Sequence, residues 1–160
     1  MKYNTNYHIA ESALQVYAAS KKIINTVYNI QKPSCKPDEY ISFINKNGIP
    51  DNIPASLRDP DNFTICQNAE AVLKSVFASH TAKTKIWFFI LNENYIKPNN
   101  TVRKQLFILE QKGINISRAT YYREQTAFIN AFAEAAGLGN EYTDNKLKTA
   151  SKEEGRKILI

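Results

Sequence analysis

Five of the chain's six prolines, Pro33, Pro37, Pro50, Pro54 and Pro60, fall within residues 32–61. Proline removes a backbone donor and steers the residue before it away from helix, so this stretch reads as a loop-rich connector. It leaves room for one short helix near Asp38–Asn47, where Tyr40, Ile41, Phe43 and Ile44 are apolar, and Gly48 is placed to stop it. No strand pair is legible in this stretch. Outside it breakers are few, and the hydrophobic spacing is helical. The expected fold class is all-α, a helical bundle.

Residues 9–31 contain neither Gly nor Pro. Two apolar series overlap there: Leu14, Tyr17, Ile24 and Tyr28 at helical spacing, and Ile9, Ala13, Val16, Ile23, Val27 and Ile30 in a sevenfold pattern broken by Ser20. The resulting face is wide, suited to deep packing or to a second copy of the chain. Residues 66–80 return to helical spacing through Ala69, Val72, Leu73, Val76 and Phe77. The run Ile86–Leu91 has a composition that also suits a buried strand, but Tyr95 and Ile96 continue its apolar face, so helix is the expectation until Pro98. Thr101 offers an N-cap for a helix over 102–112, with Val102, Leu106, Ile108 and Leu109 inward and Gly113 as its stop. Ser117 caps another helix, in which Tyr121, Phe128 and Phe132 form the inward stripe and Gly137 and Gly139 end the run. Residues 140–160 are polar until Ile158–Ile160, which suggests a mobile tail or one short helix whose end docks. The expected division is 1–61 (long helix plus connector, a dimer or partner contact), 62–139 (a helical unit) and 140–160 (mobile tail).

Several function classes find no support. Cys35 and Cys66 lack CxxC spacing and lie far from His8 and His80, so neither a disulfide framework nor a metal site is expected. Cofactor and catalytic motifs are missing, and no cofactor or catalytic residue is expected. The longest apolar run is about a third of what a membrane span needs, and the first residues lack the apolar core of a signal peptide. A cytoplasmic protein without membrane partners is therefore the expectation.

Charge is informative through its distribution. The net charge is +6. Residues 1–96 hold +2, whereas residues 97–123 hold +5: Lys97, Arg103, Lys104, Lys112, Arg118 and Arg123 against Glu110. This basic segment coincides with two helices joined by a short connection, the arrangement of a helix-turn-helix. The second helix of such a unit enters a major groove about 12 Å wide, and its first turns need polar or basic outward side chains. In Ile116–Arg123 (ISRATYYR), Ile116 plugs the turn into the core and Ser117 caps the helix while reaching a phosphate. Arg118, Thr120, Tyr122, Arg123 and, one turn on, Thr126 face outward. Arginine can hold a guanine edge through two parallel donors. Lys97, Thr101, Arg103 and Lys104 are placed for backbone contacts that steer binding without reading sequence.

The stretch from Ile86 to Leu138 resembles the C-terminal, sigma-factor-like helix-turn-helix of ArpU/RinA-type regulators from phages and related mobile elements. The resemblance rests on Ile116–Ser117, on Thr120–Tyr121–Tyr122–Arg123, and on Ala131–Phe132–Ala133–Glu134. The chain departs from that pattern at Glu124, Gln125 and Thr126, where the family carries more basic residues. The resemblance implies a non-catalytic transcription regulator that binds double-stranded DNA, beside RNA polymerase in the case of an activator; the wide apolar face of residues 9–31, outside the resemblance, is expected to supply a homodimer or polymerase contact. The alternative expectation is a helical adaptor or inhibitor that grips a host protein through residues 9–31, which Glu124 on the outer face and the aromatic Tyr121–Tyr122 pair would suit.

Overall fold

A computed structural model describes residues 5–138 and 152–160. The protein is all-α, a helical bundle with no strand among the described residues. In chain order the α-helices are α1 (Thr5–Gln31), α2 (Pro37–Asn47), α3 (Asp61–Ser79), α4 (Thr84–Leu91), α5 (Val102–Gln111), α6 (Arg118–Ala135) and α7 (Lys152–Lys157). The run Ile86–Leu91 is helical, and α4 continues into a widened π-turn over Asn92–Ile96, closed by Lys97 N–H donating to the Asn92 carbonyl at 2.8 Å.

α1 is the axis of the bundle. Its buried side, Ile9, Ala10, Ala13, Leu14, Tyr17, Ile24 and Val27, is covered by α3, α6 and α7. Both apolar series read from the sequence contribute, which explains the width of the face. Most of it is used within the chain; Ile30 remains exposed at the end. Tyr17 donates to Glu70 of α3 at 2.9 Å, and Lys21 pairs with the same carboxylate. Burial, reinforced by Glu70, raises the Tyr17 phenol well above its ordinary pKa.

α3 begins at Asp61, earlier than its apolar spacing suggests. Asp59 accepts from Asp61 N–H at 3.0 Å and Pro60 sits at the helix entrance, so the last proline of the connector starts the helix. The extra turn buries Phe63 and Ile65. Gly48, at φ +86°, stops α2 by donating its N–H to the Ile44 carbonyl at 2.8 Å.

Of the two expectations for residues 140–160, residues 152–160 follow the short helix with a docked end rather than the mobile tail. Residues 139–151, and with them the expected stop at Gly139, lie outside the described residues. Residues 152–160 dock: α7 packs along α1, Leu159 is buried, and the Leu159 carbonyl accepts from Asn68 of α3 at 2.6 Å. Gly155 lets the two backbones meet, since a Cβ there would stand 2.5 Å from the Ala13 nitrogen. Arg156 holds the other side through Asp61 at 2.7 Å and Asp59 at 3.4 Å.

An aromatic cluster joins α3, α4 and α6. Phe77 stacks on Phe128 with ring centres 6.1 Å apart, and Trp87 lies 5.8 Å from Phe128. His80, at the end of α3, hydrogen-bonds the Val76 carbonyl at 3.0 Å and lies 4.9 Å from Trp87, a structural role. Among the described residues no helix is long and apolar enough to cross a membrane.

A candidate nucleic-acid interface

α5, the connection 112–117 and α6 form the helical pair that the sequence suggests. α5 stops as a helix with a left-handed cap: Gly113 adopts φ +84°, its N–H donates to the Glu110 carbonyl at 3.0 Å, and Ile114 N–H donates to the Leu109 carbonyl at 2.9 Å. Ile114 and Ile116 are half-buried and pin the connection to the core. Both caps form. Thr101 accepts from Lys104 N–H at 3.2 Å, and Ser117 from Thr120 N–H at 3.1 Å. Ser117 and Thr101 thus have a structural duty in addition to any contact they make outside the protein.

α6 is anchored and oriented by a buried polar junction. The Tyr121 hydroxyl, fully buried, donates to Gln105 Oε1 of α5 and accepts from Asn94 Nδ2 of the π-turn at 3.0 Å. Gln105 Nε2 in turn donates to the Asn100 carbonyl at 2.9 Å. Each of these groups is satisfied, and the junction ties the start of α6 to the entrance of α5. Burial raises the Tyr121 phenol, so it stays protonated and can donate. Neither Gln105 nor Asn94 is among the residues that the sequence motifs single out. A signal was present for Gln105: Val102, Gln105, Leu106 and Leu109 follow i, i+3, i+4, i+7, so a polar residue occupies an inward position of α5.

The six basic side chains of residues 97–123 are all exposed, and among the described residues none has a carboxylate partner. Elsewhere the picture is mixed: Lys21, Lys83, Arg58, Arg156 and Lys157 are ion-paired, whereas Lys22, Lys32, Lys36, Lys46, Lys74 and Lys85 are exposed without a carboxylate partner among the described residues, so what sets 97–123 apart is the density of its cations. Arg118, Tyr122 and Arg123 stand outward from the first two turns of α6, and Tyr122 is 45% exposed. Arg123 donates to the Thr120 hydroxyl at 3.1 Å, which also accepts from Ser117 at 3.0 Å, so Thr120 is half-buried in a local chain that holds Arg123. Lys97, Arg103 and Lys104 lie before or within the first turn of α5, and Lys112 projects over the Phe89 ring at 5.7 Å.

Two expectations fail here. Thr126 was placed outward, but it is 5% exposed and its hydroxyl donates to the Tyr122 carbonyl at 3.1 Å. By that turn α6 has entered the bundle and no longer offers a free flank. Glu124 is not an outward recognition group either. Lys83 pairs with its Oε1 at 2.8 Å, and its side chain is only 13% exposed. Glu124 and Thr126 are two of the three positions where the chain departs from the basic pattern of ArpU/RinA-type helices, and both are used internally. Tyr121 is buried as its spacing implies, so Tyr122 is the one member of the Tyr121–Tyr122 pair open to a partner.

The described residues contain no group of three metal-ligating side chains, and the Cys66 thiol is buried, which pushes its pKa up to about 12 and leaves it a poor nucleophile. A shallow groove of about 510 Å³ separates α4 from α5, with Phe88, Phe89, Ile108 and Leu109 as its apolar surface and Lys85 and Lys112 among its polar lining. In comparisons with protein-family models, curated proteins and solved structures, nothing matches the chain.

Proposed function

We propose that the protein is a sequence-specific, non-catalytic regulator that binds double-stranded DNA through α5 and α6. The observation that carries this reading is the concentration of six exposed, unpaired cations against the single carboxylate of Glu110 on residues 97–123. Unpaired cations on one connected helical pair supply the sequence-independent part of DNA affinity through counterion release. The first two turns of α6 enter the major groove, Arg118 and Arg123 reach base edges, and Tyr122 and Thr120 support them. Lys97, Arg103 and Lys104, with the capped entrance of α5 at Thr101, grip phosphates. Ser117 reaches a phosphate from the first turn while keeping its cap.

The resemblance to ArpU/RinA-type regulators supports a phage or mobile-element setting and an action beside RNA polymerase in the cytoplasm. Homodimerisation would draw on the exposed remainder of residues 9–31, because the buried side of α1 is already covered.

Selection of bound duplexes from a random pool, followed by anisotropy titration of the enriched site, tests the reading. A consensus sequence and affinity that falls steeply with salt are the expected results. A protein that fails to bind heparin or any duplex at low salt overturns it. That outcome points instead to an adaptor, which the exposed Phe88 of the α4–α5 groove would favour.

A further inference from the structure

α1 carries a polar stripe on the side away from its packed face. Ala18, Lys22, Asn25, Thr26 and Asn29 recur at helical spacing, and they line a shallow groove of about 520 Å³ closed on the other side by Ile96, Lys97, Pro98 and Asn99. The π-turn creates this groove. It packs against α1, and Tyr95 donates to Glu11 at 3.2 Å, which sets residues 96–99 alongside the second half of α1.

The chemistry of the lining is one-sided. It holds three lysines, Lys21, Lys22 and Lys97, with the side-chain amides of Asn25, Asn29 and Asn99, and no carboxylate. From Ser12 to Pro37 the chain has no acidic residue at all. Lys21 is neutralised by Glu70, but Lys22 and Lys97 are exposed and have no acidic partner among the described residues. Apolar surface is limited to Ala18, Ile96 and Pro98, too little to hold a hydrophobic ligand. The stripe from Ala18 to Asn29 runs about 16 Å, the axial rise of about five base pairs.

We propose that this groove is a phosphate-backbone subsite for duplex DNA, in which α1, through Lys22, Asn25 and Asn29, grips the strand flanking the one held by α5. The inference rests on the DNA-binding reading and extends it to a helix that the sequence associates only with dimer or partner contacts. Lys97 joins the two regions, since it lies just before the capped entrance of α5 and also lines the groove. Cations and amide donors on α1 add affinity uniformly across sequences, because a phosphate carries no base identity.

The test is a salt titration of the full chain on a fluorescein-labelled 20-base-pair duplex. Wild type, Lys22→Gln, Lys22→Arg and Lys36→Gln are compared, with Lys36 as an exposed lysine outside the groove. One lost phosphate contact lowers the slope of log Kobs against log salt by about 0.9. Lys22→Gln is expected to show that loss on both a selected site and a random duplex, while Lys22→Arg and Lys36→Gln keep the wild-type slope. An unchanged slope for Lys22→Gln, in a protein that Arg118→Ala still weakens, overturns the groove and leaves the DNA-binding reading standing. Equal slope losses in Lys22→Gln and Lys36→Gln also overturn it, because the contribution is then general charge. Wild type with no duplex affinity removes both readings.

Discussion

Along α6, Phe128, Ile129, Phe132 and Ala133 lie buried against the rest of the bundle, whereas Arg118, Tyr122 and Arg123 stand in solvent, and in those first two turns Tyr121 alone is fully buried. The buried half is apolar and joins an aromatic cluster with α3 and α4; the free half is cationic and held by hydrogen bonds to α5 and the π-turn. A helix of this kind separates two tasks by position. Truncations in its second half act on folding, and truncations of the solvent-facing side chains of its first half act on what the folded protein can bind.

The largest effect expected from that contrast is Phe132→Ala. Truncation of a fully buried aromatic costs roughly 3–5 kcal/mol of stability, read from urea unfolding, and a loss below about 1 kcal/mol would remove the second half's claim to be the anchor. Next, Arg118→Ala and Arg123→Ala are each expected to cost about 1–3 kcal/mol of affinity for a selected duplex and to relax preference at one base position. Their unfolding midpoints should stay within the range of ordinary surface substitutions, about 0.5 kcal/mol. A pair of variants that bind as tightly as wild type would end the division. Tyr121→Phe probes the boundary. It keeps the ring but strands Gln105 Oε1 and one N–H of Asn94 Nδ2, whose bond to the Ile90 carbonyl remains, so stability should fall by about 1–3 kcal/mol in denaturant titrations. If Tyr121→Phe proves neutral, the polar junction does not fix α6. Smallest, Ser117→Ala removes the cap and should cost about 1 kcal/mol, visible as a lower thermal midpoint.

The two halves also differ in how well the sequence displays them. Tyr121, Phe128 and Phe132 announce themselves through helical spacing, and the caps at Thr101 and Ser117 through residue type, because both signals are local. Thr126 and Glu124 were misplaced for the opposite reason. Their environment is set by Lys83 and the helices packed beside α6, which are remote in sequence, so a period alone cannot tell a covered flank from a free one. The start of α3 was hidden by Pro60, which reads as a breaker yet serves as a helix entrance. The apolar end Ile158–Ile160 suggests docking, but a short segment gives no period to count, so the face of α1 that receives it is not legible. The α1 groove depends on a widened turn at Asn92–Ile96, and no spacing rule exposes such a turn.

The contact of Gly155 with the Ser12–Ala13 backbone unites stretches that a ribosome delivers far apart in time. At roughly 5–20 residues per second, α1 emerges on the order of ten seconds before the element that covers it. For that interval the flank around Ala13 has no native cover, and non-local closure of this sort slows the final step of folding. Until residues 152–160 follow, that flank of the nascent chain is open to chaperone capture.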